Sequence, residues 1–299
     1  MFNIKQSQLG KTVKTPEKYN PELLFRIPSA NNRIKYGISV EKLPFIGVDT
    51  WNCYEVSFMT DNGLPVSRIL KIVFDAENEY LIESKSLKLY LNSLNFSHLG
   101  KTVAEATKNV EKLILSDLRK TLDTKKITLK LFAQNEIPKP AFINVEYVDF
   151  ISLADDKELI NSNFTFFKED KNLLKGILQK GKSQEYAFRT DILRSNCPVT
   201  NQPDWGDLFV RIKTDYKIDF QSVIAYIISL RKENHFHEEV VEMIYKHLSS
   251  AFLSEKLLVA AMYTRRGGID INPIRVSCID WLETAFTDVK HLISKTWRQ

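Results

Sequence analysis

Cysteine is scarce: Cys53, Cys197 and Cys278 are the only three in 299 residues, and they lie far apart with no CxxC between them. An odd count leaves at least one thiol unpaired, which argues against a disulfide framework and against a four-ligand zinc site. Long apolar runs are missing too. No segment approaches the roughly 18 uninterrupted apolar residues of a membrane span, and the start, "MFNIKQSQLGKTVKTPEKYNPELL", has no apolar stretch of signal-peptide length. A cytoplasmic location with no membrane partner is therefore expected. No block of one charge sign occurs, and a net +5 spread over interspersed Lys, Arg, Asp and Glu does not call for nucleic acid. There is no Gln-, Ser- or Gly-dominated tract and no GxGxxG, which excludes extended disorder and removes the fingerprint of a doubly wound dinucleotide fold.

What remains is an ordinary globular composition, 43% hydrophobic and 26% charged, long enough for one large domain or two medium ones. Residues 1–50 carry Pro16, Pro21, Pro28 and Pro44 and read as an extended lead-in with one or two strands. "VSRILKIVF" (66–74) and "EYLIES" (79–84) read as strand, turn and strand, followed by a short helix-like segment. Residues 102–122 place Val103, Ala106, Val110, Leu113, Ile114 and Leu118 at helical spacing, and 126–134 return to strand character. A polar stretch at 156–172 suits a connection between halves. The second half offers strands at 185–195 and 207–215, helices at 220–232 and 237–252, and strands at 256–264 and 274–282. Each half thus sets strands around two helices, which favours antiparallel α+β sheet with helices on one face over alternating βαβ units.

"SNCPVTNQPDWGD" (195–207) sets Cys197 among turn-formers with Asp204 seven positions on. A thiol is a nucleophile when it is ionised and reachable, and a carboxyl nearby can exchange protons with the reacting group. The plain alternatives are a small buried cysteine and an Asx turn at Pro-Asp-Trp-Gly. Cys53 and Cys278 sit in strand-like context and read as core.

Three further stretches carry groups of interest. In "ESKSLKLYLNS" (83–93), Lys85, Lys88 and two serines could grip phosphate oxygens while Glu83 accepts N–H groups of a heterocycle; alternatively Ser84 or Ser86 caps a helix. "ENHFHEE" (233–239) gathers His235, His237, Glu238 and Glu239, as a His and Glu pair facing a polar ring, as a metal pattern lacking a third ligand of clear identity, or as a solvated helix start. "YTRRGGIDINPIR" (263–275) combines two arginines with two glycines, suited to an anionic cofactor or to a plain tight hairpin.

Together these stretches resemble the NADPH-dependent 7-cyano-7-deazaguanine reductases, the QueF nitrile reductases of queuosine biosynthesis. The signature Glu83, Ser84, Lys85, Ser86, Leu87, Lys88, Leu89, Tyr90 carries the likeness, with "SNCPVTNQPDWG", "FHEE" and "YTRRGGIDINP" beside it. The chain is similar to the long, two-module form, which implies tandem tunnelling-fold modules, here expected at 1–155 and 156–299. The resemblance implies Cys197 as the nucleophile forming a thioimide and Asp204 as the proton donor. It also implies Ile82, Glu83, Ser84, His237 and Glu238 as substrate contacts, and Ser84, Lys85, Arg266 and Gly267 as NADPH contacts. No metal is implied, the substrate is the small molecule 7-cyano-7-deazaguanine with no direct nucleic-acid contact, and a homodimer is expected. Two rivals stand beside this reading. One is another tunnelling-fold purine or pterin enzyme such as a zinc cyclohydrolase, with Cys197, His235 and His237 as its only candidate ligands; the other is a non-catalytic purine-binding module.

Overall fold

The computed structural model describes residues 16, 18–133, 136–143 and 145–299; the opening of the proline-containing lead-in lies outside them. In chain order the elements are β1 (Arg26–Pro28), α1 (Ala30–Arg33), β2 (Ile46–Met59), β3 (Pro65–Asp75), β4 (Tyr80–Ile82), α2 (Ser84–Asn92), α3 (Val103–Leu122) and β5 (Ile127–Phe132). There follow β6 (Val148–Asp149), α4 (Asp156–Asn161), β7 (Gly176–Leu178), β8 (Gln184–Asn196), β9 (Pro203–Thr214) and β10 (Tyr216–Ile218). The chain closes with α5 (Phe220–Ser229), α6 (His237–Phe252), β11 (Lys256–Tyr263), β12 (Ile269–Val276) and α7 (Thr284–Thr287).

One eight-stranded sheet organises the molecule, in the order β5-β3-β2-β12-β11-β9-β8-β6. All its pairs are antiparallel except β6 with β8. The α+β class with antiparallel sheet is therefore as expected. In the main sheet each half reads hairpin, two helices and return, by one strand in the first half, β2-β3-α2-α3-β5, and by two in the second, β8-β9-α5-α6-β11-β12. The halves meet where β2 runs against β12, from Ile46 opposite Val276 to Cys53 opposite Ile269.

Strand alternation decides what each face buries. On β3, Leu70, Ile72 and Phe74 point into a core completed by the α3 stripe Ala106, Val110, Ile114, Leu118 and Leu122. That stripe repeats every four residues, which is why α3 buries one side and leaves its charges in water. Thr102 starts the helix by accepting a hydrogen bond from the Glu105 N–H at 3.1 Å, and Asp123, at φ 50°, ends it in the left-handed region. On β9, Leu208, Val210 and Ile212 point into a second core under α5 and α6. At roughly 1.5–3 kcal/mol for each fully buried aliphatic side chain, these two interfaces dominate the fold.

The opposite face is not bare. Val73, Phe209, Leu258, Ala260, Met262 and Ile274 pack there against Trp281, Ala285, Phe286 and Ile293 of the C-terminal segment. Lys71, fully buried on β3, fastens that segment by donating to the carbonyls of Ala285, Asp288 and His291 at 2.7, 2.7 and 2.8 Å.

Several elements differ from the sequence reading. β3 pairs with β2, which alternation alone does not betray because it is buried on both sides over most of its length, and not with β4, which pairs with β1. β9 begins at Pro203 rather than 207, and the final strand is 269–276 rather than 274–282. The lead-in holds the short α1 in addition to its strand.

Candidate active site

β8 and β9 form a hairpin whose register holds to Asn196 opposite Pro203, so the loop is only residues 197–202. Cys197 opens it. Its N–H donates to the Gln202 carbonyl at 2.8 Å, and its carbonyl accepts from the Asn201 N–H at 3.0 Å. Asn201 makes the turn at φ 54°, a left-handed conformation that asparagine tolerates. The Asx-turn alternative for Asp204 fails on this geometry. Asp204 is a strand residue opposite Ser195, and Pro203 occupies the first strand position, where its missing N–H costs no ladder bond.

Asp204, 3% exposed, meets a guanidinium and an imidazole. Arg266 Nη1 donates to its Oδ1 at 2.6 Å, and His237 Nε2 lies 3.4 Å from the same oxygen. Burial pushes the carboxyl's pKa up, but His237 and then Arg266 outweigh it and hold it below the usual carboxylate value. Arg266 Nη2 also donates to Gln202 Oε1 at 2.6 Å, tying the cysteine loop to the β11–β12 turn. Within that connection Arg266 and Ile269 exchange backbone hydrogen bonds across a two-residue tip, with Gly267 at φ 57° and Gly268 at φ 77°, conformations that make glycine the fitting residue. It is a tight hairpin and a wall of the site at once.

The His237 ring stacks on Tyr263, centroids 3.8 Å apart and planes within 7°. Tyr263 reaches that position because Gly206 faces it: a Cβ there would stand 3.1 Å from the ring. Glu238, on the first turn of α6, is buried, and the desolvation, aided by the Asp49 carboxylate, raises its pKa. Below it a fully buried Arg275 joins Asp49 at 2.8 Å to Glu242 at 2.9 Å, and Arg33 holds Glu242 from the other side. Residues from both halves therefore meet in one charge cluster under the site.

The first half contributes Glu83, which caps α2 itself, where a serine cap had been the alternative. Its Oε1 accepts from the Lys85 N–H and its Oε2 from the Ser86 N–H, both at 2.8 Å. Burial raises its pKa in spite of those bonds.

A cavity of about 350 Å³ joins these walls. It is lined by Ile82, Glu83, Ser84, Lys85, Cys197, Asp204, His237, Glu238, Arg266 and Gly267, the whole set that the resemblance implied, whereas Ser86, Glu239, Arg265 and Gly268 of the same stretches do not line it. It is also lined by Trp51, Lys88, His235, Phe236, Ile269 and Ile271. The apolar and aromatic members of that second set escaped the sequence reading, since nothing separates Trp51 or Ile271 from core by pattern. Phe236 was within reach, because an aromatic wedged between two histidines at a helix start is poorly placed for a core. Among the described residues no three His, Cys, Asp or Glu side chains gather as metal ligands, so Cys197, His235 and His237 do not form the set that the zinc rival requires.

Known proteins match this chain along most of its length. Residues 15–131 match the family described as "Nitrile reductase, 7-cyano-7-deazaguanine-reductase N-term", and residues 203–280 match "QueF-like protein". A protein of Acinetobacter baylyi named NADPH-dependent 7-cyano-7-deazaguanine reductase is 40% identical over 283 residues, covering 94% of this chain and 97% of its own. One of the same name from Acinetobacter baumannii is 38% identical with the same coverage. A third, from Psychrobacter cryohalolentis, is 36% identical over 90% of this chain and 93% of its own.

Proposed function

Because this chain belongs to the family of NADPH-dependent 7-cyano-7-deazaguanine reductases, we propose that its cavity reduces the nitrile of 7-cyano-7-deazaguanine to the aminomethyl group, with Cys197 as nucleophile. The observation that supports this most is the meeting of Cys197, Asp204, Glu83, Glu238 and three cations around one space of about 350 Å³.

The nitrile carbon is electrophilic, and its nitrogen gains protons as electrons arrive. Asp204 starts ionised, so it acts first as base: it takes the Cys197 proton and passes it to the nitrile nitrogen as sulfur bonds to carbon. The product is a thioimide on Cys197, with no proton gained or lost overall. NADPH supplies a hydride to that carbon and, after the C–S bond breaks and returns sulfur to the thiolate, a second molecule supplies another to the imine. Each hydride is matched by one proton, so the nitrile takes up two hydrides and two protons to become the amine. Asp204, between His237 and Arg266 in the cavity wall, delivers those protons.

Glu83 and Glu238 accept N–H groups of the deazapurine, and Ile82, Ser84 and His237 complete its contacts. Ser84, Lys85, Arg266 and Gly267 hold the dinucleotide. Their chemistry fits it: Lys85, Lys88 and Arg266 share the cavity wall with a glycine turn that carries no Cβ to block a phosphate.

The chain divides into modules at 1–155 and 156–299. Two cores, one under α3 and one under α5 with α6, support that division, each with a few residues of the other half: Ile269 and Ile271 in the first, and Ile38, Phe45, Ala76 and Phe150 in the second, where β6 lies along β8. A homodimer is supported by the outer edge of β5, which pairs with no strand among the described residues. A cytoplasmic site of action is consistent with helices too short or too polar to cross a membrane among the described residues.

In the test, 7-cyano-7-deazaguanine drives NADPH oxidation by the unaltered protein, two NADPH per nitrile, and Cys197→Ala abolishes it. Full turnover by Cys197→Ala would refute the assignment.

A further inference from the structure

One cavity-lining group has no task in this scheme. His235 is 7% exposed, and its backbone N–H donates to the Asn196 carbonyl at 2.9 Å while the Asn196 N–H donates to Glu233 at 2.8 Å. The imidazole is thereby pinned beside the residue that precedes the nucleophile. Its Nδ1 lies 3.2 Å from Glu239 Oε1 and 3.3 Å from the Tyr36 hydroxyl. Its Nε2 is buried with no hydrogen-bond partner in the protein, although buried polar atoms are nearly always paired.

The partners on the far side fix the tautomer. Glu239 Oε1 also accepts from Lys35 Nζ at 3.1 Å and from the Tyr36 hydroxyl at 3.3 Å, and Oε2 accepts from the Phe236 N–H at 3.4 Å. Against the opposing effect of burial, His235 and Lys35 keep this carboxyl below its usual pKa. A carboxylate can only accept, so the Nδ1 facing it carries the ring proton. In the neutral tautomer that this contact sets, Nε2 is a buried acceptor with no partner in the protein, on a ring that lines the cavity.

We propose that His235 is a specificity-determining residue whose Nε2 accepts a hydrogen bond from a ring or amino N–H of the bound deazapurine, as a third acceptor beside Glu83 and Glu238. This rests on the function proposed above. A guanine-like heterocycle presents several N–H donors, and an unmet buried acceptor selects for a ligand that supplies one. Tyr36, Glu239 and Lys35 act through His235 as positioning residues.

The test uses full-length protein carrying Cys197→Ala, so that the nitrile binds reversibly, and measures the Kd for 7-cyano-7-deazaguanine by calorimetry. His235→Asn puts an amide where Nδ1 stood, keeping the Glu239 contact and leaving nothing at Nε2; Kd rises about tenfold, the cost of one buried unmet hydrogen bond. His235→Gln carries its amide to the Nε2 position and stays within about threefold of the parent. The reverse order, with Asn harmless and Gln damaging, would mean that the ring only braces Glu239 and would overturn the proposal, as would two variants that both match the parent. If the Cys197→Ala parent itself fails to bind, the function reading falls and this inference falls with it.

Discussion

In the proposed reaction Asp204 has to be a base before it can be an acid, and its surroundings favour that order. Burial alone would raise its pKa, yet His237 and Arg266 on one oxygen hold it below the usual carboxylate value. The sign follows directly: with the pKa depressed, the carboxylate persists through neutral pH and is lost only as pH falls through that lowered value, so activity falls on the acid side. Asp204→Asn removes the base while keeping a hydrogen-bonding side chain. We expect its steady-state kcat to drop by about a hundredfold or more and the acid limb of its pH profile to disappear. A kcat within fivefold of the unaltered protein would place proton transfer elsewhere. At this scale residue type and neighbours marked Cys197, Asp204, Glu83 and Glu238 as candidates, the resemblance to the QueF reductases implied their roles, and all four line one cavity. What the sequence did not disclose is that Glu83 is itself the cap of α2, since glutamate is an uncommon cap and two serines stood beside it.

Elements explain where that reading stopped. α3 was legible almost to the residue because one face of it is buried, and a one-faced helix writes its period into the chain. β2 was not, because seven consecutive residues from Gly47 to Cys53 are buried, leaving no alternation to detect. The β8–β9 hairpin looked longer in its loop than it is, since Pro203 and Asp204 are turn-formers by type and strand residues by pairing. That error matters for the site, because a strand holds Asp204 against His237 more rigidly than a loop would. The same strand carries Gly206 against the Tyr263 ring on which His237 stacks. Gly206→Val should push Tyr263 aside, unstack His237 and cost about 1–3 kcal/mol of stability. Its kcat/KM should fall more than its denaturation midpoint predicts. Unchanged kinetics in a folded Gly206→Val protein would show that the stack does not position His237.

At the scale of the whole molecule, neither half can make this cavity alone. Glu83, Ser84 and Lys85 come from the first half, Cys197, Asp204, His237, Glu238 and Arg266 from the second, and β2 against β12 holds them together. The buried cluster of Arg33, Asp49, Glu242 and Arg275 spans the same seam, where removing either arginine would strand carboxylates in the core. The duplicated order of elements was visible in the sequence, but the continuous sheet that joins the two copies was not, because pairing between strands some 220 residues apart leaves no local trace. The central claim is a covalent bond between Cys197 and the nitrile carbon, and intact-protein mass spectrometry tests it most directly. Incubated with 7-cyano-7-deazaguanine and no NADPH, the protein should gain the full mass of one nitrile, located on the peptide containing Cys197 and absent from Cys197→Ala. A protein that turns over the nitrile but shows no such gain, or carries it on another residue, would contradict the account.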